Sequence, residues 1–284
     1  MISKPNDVSA KPVALVTGAN TGIGLVTARE LAKAGYHVFI ACRSSSNGLE
    51  AVKAIQSESG TNDVESLVLD LGDFKSIRDC AAEFLARNLP LHLLLNNAGL
   101  AGQRGFTKSG FELAFGVNHV GHFLFTKLLL DRLITSAPAR IVTVASRAHI
   151  RTSGIDWDAC QKPTKSLLGL KEYSNSKLAN VLFSAELSRR LRGTNVSTYS
   201  LHPGVVASDI WRAIPWPLSV LVKHNMLTTK DGAKTSLYCA TSAEVANETG
   251  LYYDKCKVKT PSKLGQDKEL AAELWRRSEQ WVGH

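Results

Sequence analysis

The sequence predicts an α/β fold, a doubly wound parallel sheet of about seven strands flanked by helices, in one domain spanning residues 1–284. Three observations support this prediction. Short apolar runs alternate along the chain with longer stretches of helical periodicity. The runs are continuously apolar, as expected for strands buried on both faces of a parallel sheet. No repeat, low-complexity tract or linker interrupts the alternation.

The individual elements follow from run length and from glycines that end helical stretches, such as Gly35, Gly60 and Gly193. The predicted strands are 13–17, 37–42, 66–70, 91–95, 141–145 and 196–201. The predicted helices are 22–34, 49–59, 74–87, 110–136 and 172–193, followed by a helix at 230–241, a strand at 250–253 and a helix at 267–281. Because strands and helices alternate, one sheet is expected to hold them all.

Composition excludes several classes of protein. With 284 residues, 44% of them hydrophobic, the chain can bury a large core. No apolar run reaches the roughly 18 residues of a membrane-spanning helix, and the polar N-terminus is not a secretory signal. Five cysteines without C-x-x-C spacing indicate a reduced, cytoplasmic protein without a zinc site.

The net charge of +9 favours an anionic ligand, but its distribution is not that of a nucleic-acid-binding protein. No basic stripe is interleaved with aromatic residues, so no nucleic-acid partner is expected. One lysine cluster, formed by Lys255, Lys257, Lys259 and Lys263, leaves contact with a membrane surface open. His119 and His122 have metal-ligand spacing but no third ligand, so we expect core or interface histidines and no metal.

The first predicted strand leads into a glycine-rich turn, Thr17-Gly18-Ala19-Asn20-Thr21-Gly22-Ile23-Gly24. Glycines allow a tight turn and a close approach to a pyrophosphate, and the helix that begins at Gly22 points its free N–H groups at that anion. A glycine cluster alone is a weak signal, whereas one between the first strand and the first helix is much stronger. The sequence therefore predicts a dinucleotide site.

The spacing G-x-x-x-G-x-G resembles the cofactor loop of the short-chain dehydrogenases/reductases. Further matches follow in that family's order over about two-thirds of the chain: Asp70-Leu71, Asn96-Asn97-Ala98-Gly99, Asn118, Ser146, Tyr173 with Lys177, and Pro203-Gly204. Within the family, the segments 41–43, 117–123 and 176–180 look most like the retinol-dehydrogenase branch. The resemblance implies a Rossmann-type fold and an oxidoreductase that interconverts alcohols with aldehydes or ketones.

The end of the second predicted strand favours NADP(H) over NAD(H). NAD-binding proteins of this type carry an acidic residue there for the ribose 2′-hydroxyl, but this strand ends in Arg43 and Ser44. The guanidinium of Arg43 could pair with a 2′-phosphate, and Ser44 could donate a hydrogen bond. Asp70, beside Leu71, resembles the family's adenine-contacting acid, although a turn or cap role is a fair alternative.

Tyr173 and Lys177 share one face of a predicted helix. Reduction of a carbonyl needs a proton donor, and a nearby ammonium would lower the pKa of the tyrosine towards the working range. Ser146, after the fifth strand, would hold the substrate carbonyl. By resemblance, Asn118 completes a proton relay, with a buried structural asparagine as the compatible alternative.

The resemblance also implies which further residues contact the cofactor. They lie in the loops after the strands: Asn20, Thr21, Ile23, Asn97, Ala98, Gly99, Pro203, Gly204, Val206 and Ser208. His149 and His202 are expected near the site, where either could touch substrate. The stretch between Ser146 and Tyr173 is longer than in many members of the family and is expected to form a loop beside the substrate.

Residues 209–228 follow the nicotinamide loop and are strongly apolar, with Trp211 as a candidate substrate contact. We interpret them as a lid over an apolar substrate, with plain core and membrane-surface contact as alternatives. The first strand begins at Val13, so the N-terminal hydrophobic anchor of many retinol-dehydrogenase relatives is not expected. A homodimer through helices 110–136 and 172–193 is one arrangement that the resemblance implies.

Two function hypotheses from different classes follow. The first is an NADP(H)-dependent enzyme that reduces lipophilic carbonyls such as retinal-like aldehydes. The second is a catalytically silent NADP(H)-binding sensor or scaffold, which the presence of Ser146, Tyr173 and Lys177 disfavours. Epimerase or dehydratase chemistry on the same fold is a weaker third, because the C-terminal part is short for such relatives.

Overall fold

The computed structural model describes residues 11–204 and 228–283, which build a single eight-stranded sheet with helices on both faces. The strand order is β3-β2-β1-β4-β5-β6-β7-β8, and every pairing is parallel except that of β7 with β8. The strands are β1 Val13–Thr17, β2 His37–Cys42, β3 Val64–Val68, β4 Leu93–Asn96, β5 Ala139–Val144, β6 Val196–His202, β7 Leu251–Asp254 and β8 Lys257–Val258. The predicted doubly wound sheet is therefore confirmed.

Helices pack on both faces of the sheet. They are α1 Gly22–Lys33, α2 Ser45–Ser59, α3 Phe74–Ala86, α4 Leu113–Phe115, α5 Gly121–Thr135, α6 Leu170–Arg190, α7 Thr229–Thr241 and α8 Lys268–Val282. The core on one face draws on α1, α2 and α7, and the core on the other draws on α3, α5, α6 and α8. Because both faces of the sheet are covered, the central strands β1 and β4 are buried along their whole length.

The strand order reverses between β1 and β4, which are neighbours in space. The chain runs outward from β1 through β2 to β3, then crosses back to β4 and continues to the other edge. At such a switch point the loops leaving adjacent strands diverge to opposite faces and leave a crevice beyond the carboxyl ends of the strands. The topology thus fixes where a ligand can bind.

Several elements differ from the sequence-based expectation. The third strand is Val64–Val68 rather than 66–70, so Asp70 lies two residues beyond its end. The antiparallel β8 was not predicted, because two exposed residues carry no periodic pattern. The predicted helix 110–136 begins only at Leu113, where the Glu112 carboxylate caps it by accepting from the N–H of Phe115, and it contains a π-helical turn at Gly116–Val120.

The C-terminal helix α8 covers part of the helices that the sequence suggested for a homodimer contact. The Trp275 ring lies 4.9 Å from the Phe123 ring of α5 and stacks on Phe183 of α6, with centroids 6.0 Å apart. The guanidinium of Arg190 lies 4.4 Å from the centroid of the Trp275 ring. A homodimer that used these faces of α5 and α6 would therefore have to displace or include α8.

One helical stretch of the described chain, Leu113–Thr135, is long and apolar enough to cross a membrane, with a mean hydropathy of 1.2. Within its most apolar window, 72% is buried inside the fold. Phe123, Phe125 and Leu129 belong to one of the two cores. Its apolar character is therefore accounted for by its position as a core helix.

Candidate functional site

A cleft of about 940 Å³ opens at the carboxyl ends of the strands around the β1–β4 switch point. It is large enough for an extended dinucleotide and a small substrate together. The predicted site residues that line it are Gly18, Asn20, Thr21, Gly22, Ile23, Gly24, Arg43, Ser44, Asp70, Leu71, Asn97, Ala98, Gly99, Ser146, Tyr173, Lys177, Pro203 and Gly204. Residues scattered over the sequence are thus gathered in one place by the fold.

The floor of the glycine-rich turn is packed too tightly for side chains. At Gly24 an added Cβ would lie 2.5 Å from both the side-chain nitrogen Nδ2 of Asn97 and the backbone carbonyl oxygen of Gly18. Gly18 adopts a φ of +65°, and its Cβ would lie 2.8 Å from the Cα of Ala98. These contacts let the turn rest directly on the loop after β4, so that the N-terminus of α1 faces the open cleft.

Thr17 links the ends of β1 and β4, a role that the sequence did not reveal. Its buried hydroxyl oxygen accepts hydrogen bonds of 3.0 Å from the backbone N–H groups of both Asn97 and Ala98. It also lies 2.9 Å from Nε2 of His122, whose Nδ1 lies 3.0 Å from the carbonyl oxygen of Asn118. A carbonyl oxygen can only accept a hydrogen bond, so Nδ1 of the neutral ring carries the proton. Nε2 therefore accepts from the hydroxyl of Thr17. His122 is therefore a buried structural residue, as predicted.

At the end of β2, an exposed arginine stands beside a helix N-terminus. Ser44 is the N-cap of α2, and its hydroxyl oxygen accepts from the N–H of Asn47 at 3.2 Å. Both residues line the cleft together with the exposed side chain of Arg43. The first turn of α2 carries no acidic residue, so the positive end of the helix and the guanidinium reinforce each other at this corner.

Asp70 serves partly as the turn residue that the sequence allowed as an alternative. One of its carboxylate oxygens accepts from the N–H of Gly72 at 2.9 Å, and its own N–H donates to the hydroxyl of Ser76. The residue still lines the cleft, as does the largely buried Leu71. The carboxylate is thus fixed by its own loop while it borders the cavity.

Ser146, Tyr173 and Lys177 converge at one end of the cleft. Ser146 follows β5 and caps the short 3-10 turn Arg147–Arg151, and its side chain is hydrogen bonded to that of Tyr173. Lys177 lies one helical turn beyond Tyr173 on α6, and its Nζ donates to the carbonyl oxygen of Val144 at 2.8 Å. A hydroxyl pair and a buried amine therefore meet where a carbonyl substrate could be held.

The electrostatics of this group correct one expectation from the sequence. Burial raises the pKa of Tyr173, opposed by the hydrogen bond with Ser146, and Lys177 is not among the causes. Burial also lowers the pKa of Lys177 to about 7, so its positive charge is only partial at neutral pH. Its Nζ lies 5.7 Å from the centroid of the Tyr173 ring. The expected lowering of the tyrosine pKa by the lysine is therefore not observed.

Asn118 lies in the π-helical turn behind the cleft rather than on its wall. Its amide oxygen accepts from the N–H of Leu100 at 2.9 Å, and its nitrogen donates to Leu100 and to Ser176. Gly99 separates it from Lys177, because a Cβ there would lie 3.2 Å from the amide oxygen and 3.5 Å from Nζ. Asn118 therefore has the structural role that the sequence allowed, and it lies next to the buried amine of Lys177. Single π turns are frequent at functional sites.

The two histidines expected near the site have different positions. His202 lines the cleft at the end of β6. His149 is fully buried, with Nδ1 2.6 Å from the carbonyl oxygen of Ser146 and Nε2 accepting from the N–H of Ser262. His149 therefore supports the backbone of Ser146, and it is not among the residues that line the cleft.

The cleft is also lined by residues that sequence reasoning missed. They include the apolar side chains of Phe106, Leu113 and Leu170, and the cationic Arg147, which forms a 2.7 Å ion pair with the buried Asp254. None of these belongs to a recognisable motif. Their assembly depends on loops that are distant in the sequence, so no local signal could have found them.

The long stretch between Ser146 and Tyr173 only partly matches the expected loop beside the substrate. Its first turn, through Arg151, and its end at Leu170 border the cleft. Its middle packs elsewhere: Ile155 and Trp157 lie against the core, and Trp157 contacts Trp281 of α8 at 6.3 Å between ring centroids. The apolar residues within the insertion anchor it to the helical layer.

The other predicted contacts lie outside the described residues. These are Val206, Ser208 and Trp211, together with the lid predicted at 209–228 apart from Thr228, which caps α7. Within 11–204 and 228–283 no group of three or more His, Cys, Asp or Glu residues could hold a metal ion.

Sequence comparison relates the chain to known oxidoreductases. Residues 12–216 match the family described as short chain dehydrogenase. Retinol dehydrogenase 12 of Mus musculus is 44% identical over 278 residues, covering 95% of this chain and 86% of the mouse protein. Retinol dehydrogenase 13 of Homo sapiens is 41% identical over 285 residues, covering 95% and 84% of the two chains.

Structure comparison gives the same fold. A solved protein from Mycobacterium paratuberculosis has a TM-score of 0.75 at 31% identity, covering 96% of this chain and 94% of its own. More distant matches are an actinorhodin polyketide ketoreductase with NADPH (TM-score 0.66, 23% identity, 90% and 98% coverage) and a Brucella melitensis 3-ketoacyl-(acyl-carrier-protein) reductase complexed with NADH (0.66, 21%, 86% and 96%). The fold thus occurs with either nicotinamide cofactor. Together with the sequence matches, these findings establish that the chain belongs to the short-chain dehydrogenase family, as an oxidoreductase of its retinol-dehydrogenase-like branch.

Proposed function

We propose that this protein is an NADP(H)-dependent reductase that converts lipophilic aldehydes or ketones, retinal-like aldehydes among them, to alcohols. The observation that carries the proposal is the convergence of Ser146, Tyr173 and Lys177 in the same cleft as the glycine turn and Arg43. The cleft thus combines a proton donor for the carbonyl with a cationic corner for a phosphorylated ribose.

The residues present fit a dinucleotide. The glycine turn leaves no room for side chains beneath it, and the N-terminus of α1 is open to a pyrophosphate. When bound, the cofactor supplies the hydride. Asn97, Ala98 and Gly99 would border its ribose on one side, Asp70 and Leu71 its adenine, and Pro203, Gly204, Val206 and Ser208 its carboxamide.

Preference for NADP(H) is supported by the corner formed by Arg43 and the N-terminus of α2. A 2′-phosphate there would receive the planar guanidinium, the hydroxyl of Ser44 and the positive end of the helix. An NAD-selective site would instead offer a carboxylate at the end of β2, and residues 41–47 contain none.

Tyr173 is proposed as the proton donor to the substrate oxygen. Its raised pKa keeps the phenol protonated at neutral pH, which is the state needed for reduction. Ser146, hydrogen bonded to Tyr173, would hold the carbonyl in reach of the same proton. This protonation state favours reduction over oxidation near neutral pH, because oxidation needs the phenolate as a base.

Lys177 is proposed to hold the nicotinamide ribose and to pass protons onward. Its buried Nζ lies 5.7 Å from the centroid of the Tyr173 ring and is anchored by the carbonyl of Val144. Asn118 would support a relay behind it, since Gly99 keeps the space between the amide and the amine free of a side chain.

An apolar substrate is supported by the cleft and by the relatives. Leu170, about one turn before Tyr173 on α6, lines the cleft together with Phe106 and Leu113, and several relatives are named retinol dehydrogenases. Trp211 and the lid at 209–228 would close over the end near Tyr173. We propose that the chain acts as one domain in the cytoplasm, without a nucleic-acid partner.

The test is oxidation of NADPH by the purified protein with a panel of aldehydes and ketones that includes retinal. We expect turnover with lipophilic carbonyls and little with small polar ones. NADH in place of NADPH should give a much higher KM for the cofactor. Tight NADPH binding without turnover on any compound would instead favour the catalytically silent sensor.

A further inference from the structure

The hydroxyl of Ser146 is oriented by the turn that follows it. Its oxygen accepts from the N–H of Ala148 at 3.1 Å, and this bond caps the 3-10 turn Arg147–Arg151. Because the backbone engages one lone pair, the hydroxyl hydrogen can be donated to the phenol oxygen of Tyr173, with which Ser146 is hydrogen bonded. Such a bond favours the phenolate, in agreement with its lowering effect on the pKa of Tyr173. The position of the turn therefore controls the contact between the two hydroxyls.

The first residue of this turn is anchored to the end of β7 by an ion pair. Nε of Arg147 donates to Oδ2 of Asp254 at 2.7 Å. The side chain of Asp254 is 6% exposed and that of Arg147 is 55% exposed, so the buried carboxylate is the fixed partner that holds the arginine. Oδ1 has no hydrogen-bond partner within 11–204 and 228–283. In that part of the chain, the carboxylate is therefore hydrogen bonded to Arg147 alone.

A second anchor engages the main chain of Ser146. Its carbonyl oxygen accepts from the N–H of His149 at 3.2 Å and lies 2.6 Å from Nδ1 of the same residue. Nε2 of this buried ring accepts from the N–H of Ser262, in the loop before α8, at 3.2 Å. His149 thus fixes the main chain of Ser146, whereas Arg147 fixes the start of the turn whose N–H orients the hydroxyl.

The other titratable side chains around the ion pair are neutral near pH 7. His202 pairs with Asp254 across β6 and β7, and Tyr252 lies two residues before Asp254 on the same face of β7. Burial lowers the pKa of His202 to about 4, also lowers the pKa of His149, and raises the pKa of Tyr252. Arg147 and Asp254 therefore form the ion pair of this corner without competition from a neighbouring charge on these two strands.

We propose that Asp254 is a positioning residue: through Arg147 it holds the turn after Ser146 where the serine hydroxyl reaches Tyr173 and the substrate carbonyl. Loss of either member of the ion pair would release the start of the turn, and the hydroxyl of Ser146 would move away from Tyr173. The effect on turnover rests on the proposed function, whereas the effect on the hydrogen bond between Ser146 and Tyr173 does not.

The first experiment needs no turnover. It is NMR near pH 7 of the cofactor-free, full-length protein with ¹³C at the tyrosine Cζ, whose shift responds to hydrogen bonding at the phenol oxygen. The chain has six tyrosines, and the signal of Tyr173 is the one that is missing from Tyr173→Phe. Ser146→Ala should move this signal, and Asp254→Ala and Arg147→Ala should move it in the same direction.

Two NMR outcomes would overturn the proposal. One is a Tyr173 signal that moves in Ser146→Ala but keeps its wild-type position in Asp254→Ala and Arg147→Ala. The other is an unchanged signal in Ser146→Ala, which would mean that the hydrogen bond to be positioned is absent. Arg147→Ala truncates an exposed side chain and should fold, so the test remains decisive even if Asp254→Ala does not fold.

The second experiment is a double-mutant cycle on carbonyl reduction. Asp254→Ala alone should lower kcat by about tenfold and leave the KM of NADPH within about twofold. In the Ser146→Ala background it should lower kcat by no more than about twofold, because no hydroxyl is left to position. Equal losses in both backgrounds would give Asp254 a role independent of Ser146 and overturn the proposal. Absence of turnover in the wild type would count against the proposed function, and the NMR result would still decide the positioning role.

Glu186→Ala on α6 is the matched control. The side chain of Glu186 is 9% exposed and forms ion pairs with Arg189 and Arg190, so the substitution removes a similarly buried carboxylate away from the residues that line the cleft. It should destabilise the fold as Asp254→Ala does, and leave both kcat and the Tyr173 signal unchanged. If Glu186→Ala lowered kcat as much as Asp254→Ala, lost stability would explain both, and the positioning role would be wrong.

Discussion

Arg43 projects from the end of β2 beside the N-terminus of α2, at a corner of the cleft without a carboxylate in residues 41–47. A guanidinium that met a 2′-phosphate there would form charge-assisted hydrogen bonds, each contributing about 1.5–3 kcal/mol. On NADH, which carries a 2′-hydroxyl in place of the 2′-phosphate, the same side chain has no comparable partner. The choice between the two nicotinamide cofactors is therefore attributed to this single position.

Replacement of Arg43 tests that attribution. In Arg43→Asp we expect the dissociation constant of NADPH to rise by roughly 100-fold, from lost hydrogen bonds and added repulsion, while that of NADH changes by no more than about threefold. Titration calorimetry measures both constants. Lys53→Asp, the same charge change on the exposed face of α2, is the control and should affect neither cofactor. Equal losses for NADPH and NADH would contradict the 2′-phosphate role.

The protonation state of Tyr173 predicts how the two reaction directions depend on pH. Because burial raises the pKa of its phenol, the proton donor is present through neutral pH and is lost only on the alkaline side. The rate of carbonyl reduction should be flat around neutral pH and fall at high pH. Alcohol oxidation should rise over that same alkaline range. Profiles of kcat measured in both directions check this, and a reduction rate that increases with pH would contradict it.

At the level of residues, the sequence predicted identities better than interactions. The motifs marked Ser146, Tyr173 and Lys177, and the fold brings all three to one end of the cleft. Their pKa values depend on burial and on the carbonyl of Val144, which a motif cannot report. Thr17 was missed as a link between strands, because its partners are about 80 positions away along the chain.

Among the elements, the glycine turn and α1 act as one unit pressed against the loop after β4. Gly24→Ala places a methyl group 2.5 Å from Asn97 and from the backbone of Gly18, so the turn must shift. We expect loss of cofactor binding by at least about tenfold and destabilisation of about 1–3 kcal/mol, as for overpacked sites. Cofactor titration and urea unfolding measure the two effects.

Gly48→Ala is the matched control for this substitution. Gly48 is also a buried helical glycine, but the nearest atoms to its added Cβ lie at 3.1 and 3.2 Å and belong to side chains. A smaller loss of stability is expected there. If both variants bound NADPH equally well, the close packing of the glycine turn would not matter for the cofactor site.

The C-terminal helix α8 contributes stability through one aromatic anchor. Trp275 is 7% exposed and packs on Phe123 and Phe183 from two other helices. Trp275→Ala should lower the free energy of unfolding by about 3–5 kcal/mol, whereas Arg276→Ala on the exposed face should change it by no more than about 0.5 kcal/mol. Chemical denaturation gives both values. Similar values for the two would show that α8 is not anchored as described.

Element boundaries were predictable where a local signal exists. The first two strands begin and end as the apolar runs indicate, and α1 starts at the expected glycine. The prediction of one continuous helix over 110–136 was wrong, because the helix begins at Leu113 and contains a π-helical turn at Gly116–Val120. There the π turn around Asn118 is held by residues that are distant in the sequence, Leu100 in the loop after β4 and Ser176 of α6. Helical periodicity does not register such contacts.

For the whole molecule, the buried amine of Lys177 links folding to pH. Burial lowers its pKa to about 7 in the folded state, whereas the unfolded chain has the ordinary value of 10.5. Between these two values the unfolded state binds more protons, so stability rises with pH across that window. Below about pH 7 both states are protonated, and the full cost of burying the charge is present.

Lys177→Met removes this dependence. The variant should be more stable than the wild type near pH 7, and its advantage should shrink towards pH 10 by up to about 1.4 kcal/mol per pH unit. Urea unfolding of the cofactor-free proteins across this range measures the difference. Lys53→Met, which removes an exposed amine, should differ from the wild type by a constant amount. A constant difference for Lys177→Met as well would contradict the depressed pKa.

The global architecture was the most predictable property of all. The doubly wound parallel sheet and the position of the cleft follow from alternating elements and from a glycine turn after the first strand. The exposed leucines before α6 were not predictable, because Leu167 and Leu168 look like helix or core residues in the sequence.

The measurement that tests the central claim most directly compares Tyr173→Phe with the wild type in two assays, NADPH binding and NADPH-dependent carbonyl reduction. The substitution removes the proposed proton donor and keeps the buried ring. We predict that kcat/KM falls by about a hundredfold or more while the dissociation constant of NADPH stays within about threefold. Reduction that persists at the wild-type rate in Tyr173→Phe would contradict the proposed chemistry.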